Sequence, residues 1–121
     1  MSSYNPLKVC PPSPNCVCTI DTDPKKKMET LSFAGSAEEA KTKMKAMILD
    51  MKRTTLLEER EDYLHFQFKT FWGGFKDDVE FYFDESGKAI HFRSASRVGY
   101  SDLGANERRM KKVGKAWRKL K

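Results

Sequence analysis

Between residues 54 and 95 the chain carries four runs in which apolar and polar residues alternate, and no other feature limits its folding choices as strongly. TTLLEER (54–60) is followed, after the tight turn Glu61–Asp62, by YLHFQFKTF (63–71). Leu64, Phe66 and Phe68 then share one side, and Tyr63, His65, Gln67 and Lys69 the other. After WGGFK comes DDVEFYF (77–83), with Val79, Phe81 and Phe83 inward and Asp78, Glu80 and Tyr82 outward. The DESG turn leads to AIHFRSA (89–95), where Ile90 and Phe92 face in and His91 and Arg93 face out. Strands joined by turns this short pair antiparallel, so the runs predict a meander with one apolar and one polar face.

Two helices flank the meander. Ser36 and Glu39 make an S-x-x-E helix start, and Ala40, Met44, Met47, Ile48 and Met51 recur at helical spacing, which predicts a helix over 36–51. Methionines on such a stripe read as core filler rather than a cofactor box. Met110, Val113, Trp117 and Leu120 mark the buried side of a last helix, about 104–119, with Ser101 and Asp102 as its expected caps. METLSF (28–33) offers Leu31 and Phe33 to one side of a short strand, and Gly35 breaks it. The expected fold is α+β, two-layered, with an antiparallel sheet, both helices on one face and the order β-α-β-β-β-β-α. That order resembles the TATA-binding-protein-like arrangement, a likeness of topology that implies nothing about DNA.

A chain of 121 residues supports one core of modest size. Residues 1–27, rich in Pro and Cys and ending in Lys25, Lys26 and Lys27, read as an extended arm, and 28–121 as the single α+β domain. No apolar run approaches the roughly 20 residues that span a bilayer, and the first residues lack the pattern of a signal peptide, so a cytoplasmic location is expected. The net charge of +6 is unevenly spread: residues 105–121 hold eight Lys/Arg against one Glu, and the remainder is nearly neutral. Such a cationic last helix argues only weakly for nucleic acid. An anionic membrane is the better alternative partner, because the turn Phe71-Trp72-Gly73-Gly74-Phe75 could dip into a bilayer beside that helix. In the competing reading Phe71 and Phe75 cap the core.

The cysteines, Cys10, Cys16 and Cys18, lie together in CPPSPNCVC. An odd number without an export signal argues against a disulfide framework, and their spacing suits no zinc site, so no metal or cofactor is expected. A Cys10–Cys16 bridge stays open for an oxidising compartment. Otherwise Pro11, Pro12 and Pro14 hold an extended segment across the domain with its thiols reduced.

The outward residues gather Asp78, Glu80, Tyr82, His91 and Arg93 on one face, either as a solvated surface with cross-strand ion pairs or as a shallow pocket closed by the arm. Asp77 and Asp78 are neighbours on a strand and point to opposite faces, which weakens any paired-carboxylate mechanism. His91 and Glu80 could act as base and orienter, yet no Ser, Cys or Thr is placed as nucleophile, so no catalytic residue is assigned. In RSASR (93–97), Arg93, Ser94, Ser96 and Arg97 lead from the last strand through Tyr100 to the final helix and its Asn106. A helix start flanked by guanidinium groups suits a phosphate or carboxylate. Alternatively Arg93 and Arg97 clamp Asp77, Asp78 or Asp102 and fix the strand-to-helix corner.

CPPSPNCV (10–17), FKDDVEF (75–81) and IHFRSASRVGYSDLGANERR (90–109) together resemble the bacterial and plastid family of domain of unknown function 1499. The resemblance implies a first motif of Cys10, Pro11, Pro14, Asn15 and Cys16 and a second of Asp77, Asp78, Val79 and Glu80. Arg93, Ser94, Ser96, Arg97, Gly99, Tyr100, Asp102, Gly104 and Asn106 match its third. It supplies no activity. It does imply that polar positions from three segments share either a site or a structural clamp. Cys18 falls where members often have Ser, and members are often membrane-attached or exported. The expected function is a noncatalytic binding module that holds a small anionic ligand or an acidic partner segment, with peripheral membrane association as the alternative and an enzyme after that.

Overall fold

Antiparallel pairing of the alternating runs dominates the computed structural model, which describes residues 5–12, 15–70, 74–97 and 104–120. The elements are β1 (Cys16–Cys18), β2 (Leu31–Ser32), α1 (Ala37–Leu49), β3 (Thr54–Arg60), β4 (Tyr63–Lys69), β5 (Lys76–Asp84), β6 (Ala89–Ser96) and α2 (Ala105–Arg118). The α+β order expected from residue 28 onward stands, preceded by one further strand. Its sheet runs β1-β6-β5-β4-β3, and β2 pairs with the opposite end of β6 from β1.

Register places Phe66 beside Val79 and Val79 beside Ser94, so one face of the sheet stacks Leu64, Phe66, Val79, Phe81, Phe83, Ile90 and Phe92. Both helices seal that face: Ala40, Met44 and Ile48 of α1 and Met110 and Val113 of α2 join the same core. Phe66 and Phe81 meet edge to face at 6.2 Å between ring centres, a geometry the ring quadrupoles favour. Truncating any of the fully buried phenylalanines to alanine carries a cost of about 3–5 kcal/mol.

Helix α1 starts as its sequence requires. Ser36 Oγ accepts from the Glu39 N–H and Glu39 Oε1 from the Ser36 N–H, each at 3.1 Å. At the start of α2 the N-cap position is Gly104, in the left-handed region at φ 81° and with no side-chain cap among the described residues; the expected caps Ser101 and Asp102 lie outside them. Leu120 is another correction, since α2 ends at Arg118 and leaves Leu120 exposed. Between Leu56 and Glu58 a bulge shifts the register of the edge strand β3 and turns Leu57 to solvent.

The N-terminal segment does more than trail. Its Cys16–Cys18 stretch zips onto β6, and Leu7 packs with Ile20 against Tyr63 and Tyr82 on the sheet's outer face. Those tyrosines obey the outward alternation, yet the strap above them leaves them buried. Cys10 and Cys16 form a disulfide, so the bridged alternative holds rather than the reduced one. Cys18 is a free, buried thiol that donates to the Lys8 carbonyl, and its burial raises its pKa.

Candidate functional site

Strand alternation divides the expected site residues between the two faces of the sheet. Asp77, Ser94 and Ser96 belong to the helix side, whereas Asp78, Glu80, His91 and Arg93 belong to the outer side.

On the helix side the groups form a polar network beneath the first turns of α2, in which Asp77 Oδ1 is buried with no hydrogen-bond partner among the described residues. Arg109 is its hub: Nη2 donates to Asp77 Oδ2 at 2.5 Å, and Nη1 donates to Asn106 Oδ1 at 2.7 Å and to Ser94 Oγ at 3.2 Å. Ser94 also donates to Asn106 Oδ1, whose amide in turn donates to the Asn15 carbonyl and to Ser96 Oγ. The Arg109 guanidinium sits over the Phe68 ring at 5.2 Å. Asp77, Ser94 and Asn106 are essentially shut off from water, and a buried charge and buried amides are tolerable only when partnered in this way. The arrangement joins the residue that precedes β1 to β5, β6 and α2. No opening for a ligand is needed to account for any of these bonds.

Arg109 was not among the residues singled out from sequence. It lies in a run of basic residues that reads as solvated surface, and the usable signal was its position three residues after Asn106, on the same helix face.

The outer side is half open. Asp78 accepts both Arg97 Nε and Arg97 Nη2 at 3.0 Å and contacts His65 Nε2 at 2.7 Å. Burial alone would raise the pKa of the Asp78 carboxyl, but the bonds from Arg97 and His65 outweigh it and hold the group below its ordinary range. Glu80 accepts the Tyr63 hydroxyl and lies 3.6 Å from Arg93 Nη1. Burial, followed by that carboxylate, raises the pKa of Tyr63 well above its usual value. Arg93 Nε is buried with no hydrogen-bond partner among the described residues.

His91 stands apart from this strip. It stacks on Tyr82 and contacts Thr19 Oγ1 through Nδ1 at 3.3 Å, and burial lowers its pKa. This is a hydroxyl–imidazole pair, but Thr19 is buried and its hydroxyl is engaged with both the N–H and the carbonyl of Phe92, which suits a fastening rather than a nucleophile.

Tyr100, Asp102 and Pro14 lie outside the described residues, as do Phe71 and Trp72 of the aromatic turn. Phe75 is 57% exposed, so it does not cap the core. Among the described residues no group of three or more His, Cys, Asp or Glu is placed to hold a metal, and no helix is long and apolar enough to cross a membrane.

Fold and site together define a two-layer α+β protein strapped across its outer face by a bridged N-terminal segment, with its last helix keyed into the sheet by a partly buried arginine paired with a buried aspartate. The chain belongs to the family described as Protein of unknown function (DUF1499), whose model matches residues 6–116. No curated protein and no solved structure matches the chain.

Proposed function

We propose that the protein is a noncatalytic binding module whose outer sheet face takes a small anionic group beside Arg93 and Arg97. The supporting observation is the state of Arg93. Its Nε lacks an acceptor among the described residues, and its nearest carboxylate, Glu80, is 3.6 Å away and already accepts the Tyr63 hydroxyl. A desolvated guanidinium N–H without an acceptor gains more from an incoming carboxylate or phosphate oxygen than a satisfied one. Arg97, exposed and braced on Asp78, adds a second cation to the same face. Within this proposal Ser94, Ser96 and Asn106 support the site through the buried network and do not touch the ligand. His91 orders the strap beside it.

The test is a titration of the 15N-labelled protein with inorganic phosphate and, separately, with a short oligoglutamate peptide, following the Arg93 and Arg97 Nε–Hε signals. Saturable shifts that weaken about tenfold or more in Arg97→Ala, with its melting temperature nearly unchanged, support the module. Unmoved signals with both probes sink it. If Arg97→Ala fails to fold, Arg97 is a structural clamp instead.

A further inference from the structure

A second cationic feature lies at the end of β4 beside both helices, where none of the residues discussed so far requires one. A cleft of about 650 Å³ opens between the turn after α1, the end of β4 and the exposed side of α2. Lys52, Arg53, Lys69 and Lys112 line it, against a single acid, Asp50. Arg109 also reaches it but is committed to Asp77. Lys52, Lys69 and Lys112 make no ion pair among the described residues, whereas Lys41 and Lys45 share Glu59, Lys88 pairs with Glu85 and Lys111 with Glu107. The three unmatched lysines around this one concavity repel one another, and an arriving anion relieves that repulsion.

Arg53 supplies an independent observation. Its φ of 62° lies in the left-handed region, where glycine or asparagine sits at least cost and an arginine is unfavourable by about 1 kcal/mol. The Arg53 carbonyl accepts the Lys69 N–H at 2.9 Å, so this strained turn is tied to the end of β4 on the cleft wall. Strain kept at a cationic position is the pattern expected when the side chain, not the backbone, is what the position requires. At the opposite end of the sheet a comparable cleft is mainly acidic, with Glu38, Glu61, Asp62, Asp84 and Glu85 against Lys41, so the two ends of the strands carry opposite excess charge.

We infer that this cleft is a second anion site and that its ligand carries a phosphoryl group. Lysine ammonium groups supply point charges and Arg53 a planar donor fork, a combination suited to a phosphate's several oxygens. Met51, Phe68 and Val113 form an apolar floor, which accommodates the organic portion of a phosphate ester or a lipid. The inference stands independently of the outer-face proposal, because neither Arg93 nor Arg97 lines the cleft.

The experiment titrates 15N-labelled protein with inorganic phosphate and measures cosedimentation with vesicles of phosphatidylcholine, with and without phosphatidylglycerol. The variants are Arg53→Gly, which suits the backbone, and Lys112→Glu on an exposed helix face. Saturable shifts at the amides of Lys52, Arg53, Thr70 and Lys112, weakened about tenfold or more in each variant and unaffected by Arg97→Ala, are expected if a free phosphoryl group binds. Capture by the phosphatidylglycerol vesicles alone, lost in both variants without phosphate-induced shifts, identifies the phosphoryl group as a lipid's. Absence of both responses, or folded variants that bind like the wild type, overturns the assignment.

Discussion

Asp77 carries its charge into a place that water hardly reaches, and it is tolerable there because the partly buried Arg109 pairs with it. Replacing Asp77 by Asn keeps the shape and strands the arginine. The expected loss is about 3–5 kcal/mol in a urea melt, and Asp77→Leu with Arg109→Met should be markedly less damaging than Asp77→Asn. His91 contributes a pH dependence of the opposite chemical kind. Burial lowers its pKa, with Asp84 pulling weakly upward, so between its folded and unfolded values the unfolded chain binds the extra proton. Stability from this group is present above about pH 6.5 and is lost as the pH falls through the folded value. Melts across that interval should therefore be flatter in His91→Asn than in the wild type. Asp78, also lowered, acts further into acid: its contribution is present above the ordinary carboxylate value and disappears as the pH drops through the folded one. The opposed directions of Asp77 and Asp78 were legible from strand alternation alone. Arg97 was among the clamps the sequence offered for Asp78, but Arg109 was not offered for Asp77, because the placement of the last helix over the sheet depends on tertiary packing.

The strands β4 to β6 were legible because each keeps a two-residue period for seven residues or more and ends at a turn with polar or glycine residues, whereas the bulge after Leu56 breaks the period of β3. β1 was not, since three residues, Cys-Val-Cys, have no measurable period and follow prolines. The strand expected over 28–33 shrank to Leu31–Ser32, and β6 accommodates both short strands on the same edge, β1 at Arg93–Ala95 and β2 at Ala89–Ile90. The S-x-x-E motif translated directly into a reciprocal cap, so Ser36→Ala should lower stability by about 1 kcal/mol in a thermal or urea melt. The opposite edge of the sheet belongs to β3, where the bulge and the charges of Glu58, Glu59 and Arg60 discourage pairing with another molecule. Deleting Leu57 should flatten that edge, and an increase in self-association on size-exclusion chromatography is the expected outcome.

At the scale of the molecule, the polar positions from three separated segments serve one architecture. Asn15 delivers its carbonyl to Asn106, Asp77 receives Arg109, and Ser94 and Ser96 lie between them, so the N-terminal strap, the middle of the sheet and the last helix are fastened at one corner. What a sequence could not reveal is that Asn15 and Arg109 meet at this corner, because that depends on how the strap and the last helix pack against the sheet. The strap itself is held by the Cys10–Cys16 bridge and by Leu7 on the two tyrosines. Closing so short a loop stabilises by about 2 kcal/mol through the unfolded chain, so Cys10→Ser with Cys16→Ser should lower stability by that amount and speed hydrogen exchange at Tyr63 and Tyr82. The same bridge separates the continuity of the strap from the continuity of its backbone. A protease that cleaved any peptide bond between Cys10 and Cys16 would leave the two pieces joined through sulfur, with Leu7 still able to cover its tyrosines. Such a nicked molecule would pass as intact until it met a reductant, at which point the leading peptide would come free.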